Sequence, residues 1–315
     1  PFLPEEAMPA EAIGPGWTRQ APHAPAVTQA TLPDLSDVKG QAGPKRALEI
    51  AAAGGHSLLM SGPPGTGKSM LAERLAGLLP PMDTEEALES AALLSLAGRF
   101  TPTRWMQRPT LSPHHTASAV ALVGGGSPPR PGEISLAHHG VLYLDELPEL
   151  PRAALEALRE PLETGRIRLV RAAPQAEFPA RFQPVAAMNP CPCGYLGATH
   201  RACQCTPDQV RRYQARLSGP LLDRIDLHVS VHALPPGELL DARATESSAA
   251  VRARCAAARQ RALARQGKIN QALNGQDLEH AIQAEDSALR FLPQAAERLG
   301  RSGRGPHRTL RVPRT

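Results

Sequence analysis

An α/β fold built on a parallel sheet, followed by a smaller helical domain, is what this 315-residue sequence predicts. Three observations carry it. The apolar run His56-Ser57-Leu58-Leu59-Met60-Ser61 leads into a glycine-rich loop and then a helical pattern, which is half of a β-α-β unit. A second apolar run, Val141-Leu142-Tyr143-Leu144, ends in two acids. Beyond Pro235-Pro236 the composition turns to Ala, Arg, Gln and Leu, which points to helices.

The elements follow in order. Residues 1–33 carry seven prolines and few periodic apolar positions, so they read as a linker or strap. The chain opens Pro1-Phe2-Leu3 without a Met, which is expected of a piece of a longer protein. Pro44 to Ala53 reads as a helix with Pro in its first turn, stopped by Gly54-Gly55. After the first strand and the glycine loop, a helix runs through Met70 to Leu75. Residues 99–133, rich in Pro, His, Thr and Gly, look like an insertion. Past the second strand come a helix through Ala153 to Leu158 and a hairpin of Gly165–Val170 with Phe178–Pro184. Gln183 to Met188 reads as a third strand. The expected division is strap 1–33, core 34–234 and helical lid 235–315, with the hairpin at 165–184 and a cysteine cluster at 191–205.

Composition excludes two classes. No apolar run approaches the roughly 18 residues of a spanning helix and no signal-peptide pattern opens the chain, so the expected location is cytoplasmic. The net charge of +5 is modest, but 31 of the 35 basic residues are Arg. Codon bias accounts for that as well as phosphate recognition by a planar guanidinium does.

The chemistry sits in two strings. Gly62-Pro63-Pro64-Gly65-Thr66-Gly67-Lys68-Ser69 fits G-x-x-x-x-G-K-[ST], whose backbone N–H groups cradle phosphates at a helix N-terminus. Lys68 is expected to reach the β/γ-phosphates of ATP, and the Ser69 hydroxyl to ligate Mg²⁺. Asp145 and Glu146 leave the carboxyl end of their strand, where open α/β sheets bind ligands. Asp145 is expected in the Mg²⁺ shell, and Glu146 to orient the attacking water.

These strings, with Lys39-Gly40-Gln41, Gly54-Gly55-His56 and Gly132-Glu133-Ile134-Ser135-Leu136-Ala137-His138, resemble magnesium-chelatase-like AAA+ ATPases. Pro113-His114-His115-Thr116, Gly124-Gly125-Gly126-Ser127-Pro128-Pro129-Arg130-Pro131 and Leu217 to Leu227 narrow the resemblance to the ComM (YifB-type) competence family. It is dense over residues 34–235 and loose beyond. It implies a P-loop αβα sandwich with a helix-2 insert and a pre-sensor-1 hairpin. The function implied is that of a homo-hexameric DNA motor of branch migration. By the same resemblance Asn189 matches sensor 1, Arg224 the arginine finger acting on a neighbouring subunit, and Arg304 sensor 2. It also implies an N-terminal Lon-like domain, of which these residues show no trace. Gly305-Pro306 interrupts the last helical stretch, so an incomplete lid is expected.

Cys191-Pro192-Cys193 and Cys203-Gln204-Cys205 form two C-x-C pairs. Four thiolates would close a tetrahedral Zn²⁺ site, while free thiols and redox chemistry remain open. His114-His115 and His138-His139 are expected to chelate poorly, since neighbouring side chains diverge. Arg166, Arg168 and Arg171 on the hairpin, or Arg104 and Arg108 in the insertion, are the candidate DNA contacts. A motor acting on a protein partner, or an unfoldase tied to a peptidase, would use the same nucleotide chemistry.

Overall fold

Val141-Leu142-Tyr143-Leu144 is buried at all four positions, as a strand covered on both faces must be. The computed structural model describes residues 32–169, 176–199, 201–235, 237, 245–281, 284–298 and 304–315. Its main sheet has five strands: β1 (Leu58–Ser61), β2 (Thr110–Leu111), β3 (Val141–Leu144), β4 (Gln183–Met188) and β5 (Leu227–Ser230). They lie in the order β2-β3-β4-β1-β5, and every pairing is parallel. The helices used below are α1 (Ala42–Gly54), α2 (Lys68–Leu78), α3 (Thr84–Leu96), α4 (Pro207–Gln214) and α5 (Ser248–Gln266). Then come α6 (Gly275–Ala281), α7 (Asp286–Arg298) and α8 (Arg304–Arg311).

Side chains alternate along the central strands β1, β3 and β4, so each of these feeds two cores. Leu58, Met60, Val141, Tyr143 and Val185 join Leu48 of α1, Leu71 and Leu75 of α2, and Val251 of α5. Leu59, Leu142, Leu144 and Ala186 face the other way, onto Leu147, Leu155, Leu158, Tyr213 and Leu221. The result is the expected αβα sandwich. Helix α5 is tied to the core at its start, where Asp34 accepts from the Ser248 amide at 3.1 Å and Leu35 N donates to Ser248 Oγ at 2.7 Å.

Several expectations are corrected. Thr110–Leu111, inside the segment read as an insertion, pair with Val141 and Leu142 and so form the edge strand β2 of the core. Strand β5 was not anticipated. The hairpin pairs Arg166–Leu169 with Ala176–Pro179, and its second arm ends before β4 begins. Gly305-Pro306 does not break the final helix. Pro306 falls in the first turn of α8, where an amide has no intrahelical acceptor to lose. Among the described residues, no helix is long and apolar enough to cross a membrane.

Candidate nucleotide site

The glycine-rich loop leaves the carboxyl end of β1 and turns into α2. Gly67 caps that helix at φ +88°, in the left-handed region that only glycine enters without strain. The amides at the head of α2 therefore point into the turn, where an anion can meet them. Lys68 Nζ donates to the carbonyls of Gly62 (2.7 Å) and Pro63 (2.8 Å) and to Asn189 Oδ1 (3.2 Å). Thr66 Oγ1 donates to Pro63 O at 3.0 Å, stitching the loop from within. Burial pulls the Lys68 ammonium below its usual range, while Asp145 and Glu146 act the other way.

The register brings three strand ends together, with Ser61 opposite Met188 and Leu144 opposite Ala186. Asp145 and Asn189 consequently flank the loop. Ser69 Oγ donates to Asp145 Oδ2 at 3.0 Å and accepts from Tyr143 OH at 3.1 Å. A hydroxyl beside a carboxylate is a pair of hard oxygen ligands, which fits Mg²⁺. Burial raises the Tyr143 phenol well above its ordinary range, so it stays a donor.

Glu146 adopts φ +48°, and its amide donates to Asp145 Oδ1 at 2.9 Å. Its carboxylate meets His115 Nδ1 at 3.1 Å. Sequence reasoning missed this partner. His115 arrives because β2 lies beside β3, which lands the loop after Leu111 at the same sheet edge. The only trace in the sequence was the Pro113–Thr116 string.

The four cysteines also converge. Cys191 Sγ lies 3.4 Å from Cys193 Sγ and 3.7 Å from Cys203 Sγ, and Cys193 and Cys203 are 3.6 Å apart. The Cys193 amide donates to Cys205 Sγ at 3.4 Å. The amides of Tyr195 and Gln204 aim at the Cys193 sulfur and draw its pKa down to about 6. The cluster abuts the nucleotide loop: a Cβ at Gly194 would stand 2.6 Å from Pro64 Cδ and 3.8 Å from Asn189 Cγ.

The sequence matches the family "Magnesium chelatase, subunit ChlI" over residues 34–239, and its C-terminal counterpart over 245–315. The chain belongs to the magnesium-chelatase ChlI family. It is 53% identical over 284 residues to the YifB protein of Salmonella typhimurium, covering 90% of this chain and 56% of that one. It is 52% identical over 284 residues to the competence protein ComM of Haemophilus influenzae, with 90% and 55% covered. A magnesium-chelatase 67 kDa subunit of Heliobacterium mobile is 28% identical over 232 residues, covering 64% of this chain and 31% of that one. The chain thus spans little more than half the length of the YifB and ComM relatives it matches.

Within this ChlI-family core the arginines separate. Arg224 is turned inward, donating to Pro220 O at 2.6 Å and to the Glu163 carboxylate, with Nε buried and unpartnered. Arg166 and Arg168 stand exposed on one face of the hairpin, yet both pair with Glu177, at 2.6 and 2.9 Å. Together they hold the Glu177 carboxyl below its usual range. Arg104 is exposed on the Pro102–Arg104 turn. Arg108 is drawn inward: its guanidinium donates to Pro80 O, His139 O and the Glu86 carboxylate at 2.6–2.8 Å. Arg171 lies outside the described residues. Arg304 opens α8, and its side chain also lies outside the description.

One histidine expectation is overturned. His138 and His139 converge on Glu89 Oε2, at 3.1 and 2.6 Å, because His139 adopts φ +58°. They still make a poor metal site. The Arg181 amide donates to His138 Nδ1 at 2.9 Å, so the ring carries its proton on Nε2 and gives it to Glu89. A metal at Nε2 would leave that ring without any proton.

Proposed function

We propose that the chain binds Mg²⁺-ATP at the loop 62–69 and hydrolyses it, and that assembled rings couple hydrolysis to moving DNA. The observation that carries the reading is the convergence of Lys68, Ser69, Asp145, Glu146 and Asn189 on one sheet edge. ATP phosphates would take over the Lys68 donors now spent on Gly62 and Pro63 carbonyls. Ser69 and Asp145 would hold Mg²⁺, which supplies charge for the phosphates when bound. Glu146 takes a proton from water once it leaves His115. Asn189 orients whatever lies beside Lys68. A structural Zn²⁺ at the four cysteines completes the cofactor set.

The DNA half of the proposal leans on the similarity to a competence protein and on the Arg166–Arg168 hairpin. That hairpin joins the elements carrying Glu146 and Asn189, so nucleotide-driven movement can reach it. Arg224 acts in trans in a hexameric ring, after Glu163 releases it. A second reading, a chelatase-type motor working on a protein partner, is favoured by Glu177 neutralising the hairpin arginines. ATPase rate with and without single-stranded, duplex and forked DNA separates them. Stimulation by DNA is expected; identical rates would favour the protein partner.

A further inference from the structure

We infer that Cys191, Cys193, Cys203 and Cys205 hold one Zn²⁺, and that this ion braces the loop against which the nucleotide site leans. The second half rests on the ATPase reading above. Tetrahedral zinc with thiolates at about 2.3 Å needs sulfurs about 3.8 Å apart; the pairs among Cys191, Cys193 and Cys203 stand at 3.4–3.7 Å, and all four sulfurs lie within 4.8 Å of one another. The Cys193 amide donates to Cys205 Sγ at 3.4 Å, the kind of hydrogen bond a metal-bound thiolate accepts. Four thiolates this close repel one another unless a cation lies between them. The segment also needs a cross-link. Among the described residues no helix or strand lies between Met188 and Pro207, and Cys191 alone of the four cysteines is fully buried. A bound metal offsets the entropy of ordering such a loop.

The position of the ion gives it a task. Cys191 follows Asn189 by two residues, and Gly194 presses on Pro64 of the phosphate loop with no room for a side chain. On the far side, Cys205 runs directly into α4, whose Thr206 cap is closed by a reciprocal pair with Gln209. From α4, Gln214 Nε2 donates back to Pro190 O at 3.1 Å. The four thiols therefore tie the two ends of one loop together beneath Asn189 and beside Pro64. Zinc would hold both residues where Lys68 needs them.

The test is elemental analysis of the full chain purified without chelator, together with titration of a fluorescent ATP analogue. One zinc per chain is expected. The Cys203→Ser/Cys205→Ser variant should lose the zinc and bind the analogue about tenfold more weakly, a loss of about 1.4 kcal/mol. Circular dichroism and thermal melting show whether that variant folds. Gly194→Ala gives an independent arm: it keeps the four thiols and the zinc, yet its methyl meets Pro64, so analogue affinity should drop. Absence of zinc from the wild-type chain overturns the site. Zinc present, with analogue affinity unchanged in folded Cys203→Ser/Cys205→Ser and in Gly194→Ala, overturns the brace. A zinc-bearing wild-type chain that binds no ATP analogue defeats the nucleotide reading and the brace with it, and leaves the metal site standing.

Discussion

His115 Nδ1 lies 3.1 Å from a carboxylate oxygen of Glu146, so the group proposed to activate water is already engaged. Both side chains are exposed, with 39% and 47% of their surfaces open, and an exposed polar contact of this kind is worth at most about 1 kcal/mol. Removing it by His115→Ala should raise basal ATP hydrolysis roughly two- to fivefold and leave nucleotide affinity unchanged. Steady-state ATPase measurements check this. A fall in rate would mean that His115 positions Glu146 and does not restrain it.

Arg224 is spent on Pro220 O and Glu163, which makes it a latch as well as a candidate finger. Arg224→Ala should leave nucleotide binding intact while lowering assembly-dependent hydrolysis by about a thousandfold or more. Mixing it with Lys68→Ala should restore part of the activity, since some interfaces then pair an intact Lys68 with an intact Arg224. Rings that form in every mixture yet never regain activity would exclude an arginine acting across subunits.

The hairpin gives a prediction of opposite sign for two variants. Arg166→Ala/Arg168→Ala should weaken DNA binding on all sequences and flatten its salt dependence by about 0.9 per lost duplex contact. Glu177→Gln frees the same two guanidiniums and should tighten binding. DNA affinity measured across a salt series reads both. Unchanged slopes in both variants would move the DNA path away from this hairpin.

His138 gives a pH dependence. Burial, and then the neighbouring His139, hold its pKa down at about 4, against about 6.5 in an unfolded chain. Between those values the unfolded state binds more protons, so stability is complete above pH 6.5 and falls as the pH drops towards 4. The loss should be on the order of 3 kcal/mol. His138→Gln keeps an acceptor for the Arg181 amide and a donor for Glu89 but cannot titrate. Denaturant melts across this range should show a shallower acid loss in that variant.

Local strings were legible and tertiary meetings were not. The loop 62–69, the strand ending in Asp145-Glu146 and the Gln183–Met188 strand could be read because each is a continuous run with its own chemistry. Strand β2 has two residues and β5 is a half-exposed edge strand, so neither leaves a hydrophobic signature. His115 reaches Glu146 only because the sheet order sets β2 beside β3, which no residue pattern states. Arg108 read as a DNA contact, yet it is consumed by Pro80 and His139 carbonyls distant in the chain. The divergence expected of His138 and His139 failed because a non-glycine residue took a left-handed backbone.

The central claim is that Lys68 holds phosphates while Glu146 acts on the water, and one paired measurement addresses it. ATP-analogue binding and steady-state hydrolysis are compared in wild-type, Lys68→Ala and Glu146→Gln chains. Lys68→Ala should lose tight binding. Glu146→Gln should bind as wild type does but hydrolyse at least a hundredfold more slowly, the scale of a lost general base. Hydrolysis by Glu146→Gln at the wild-type rate would contradict the account.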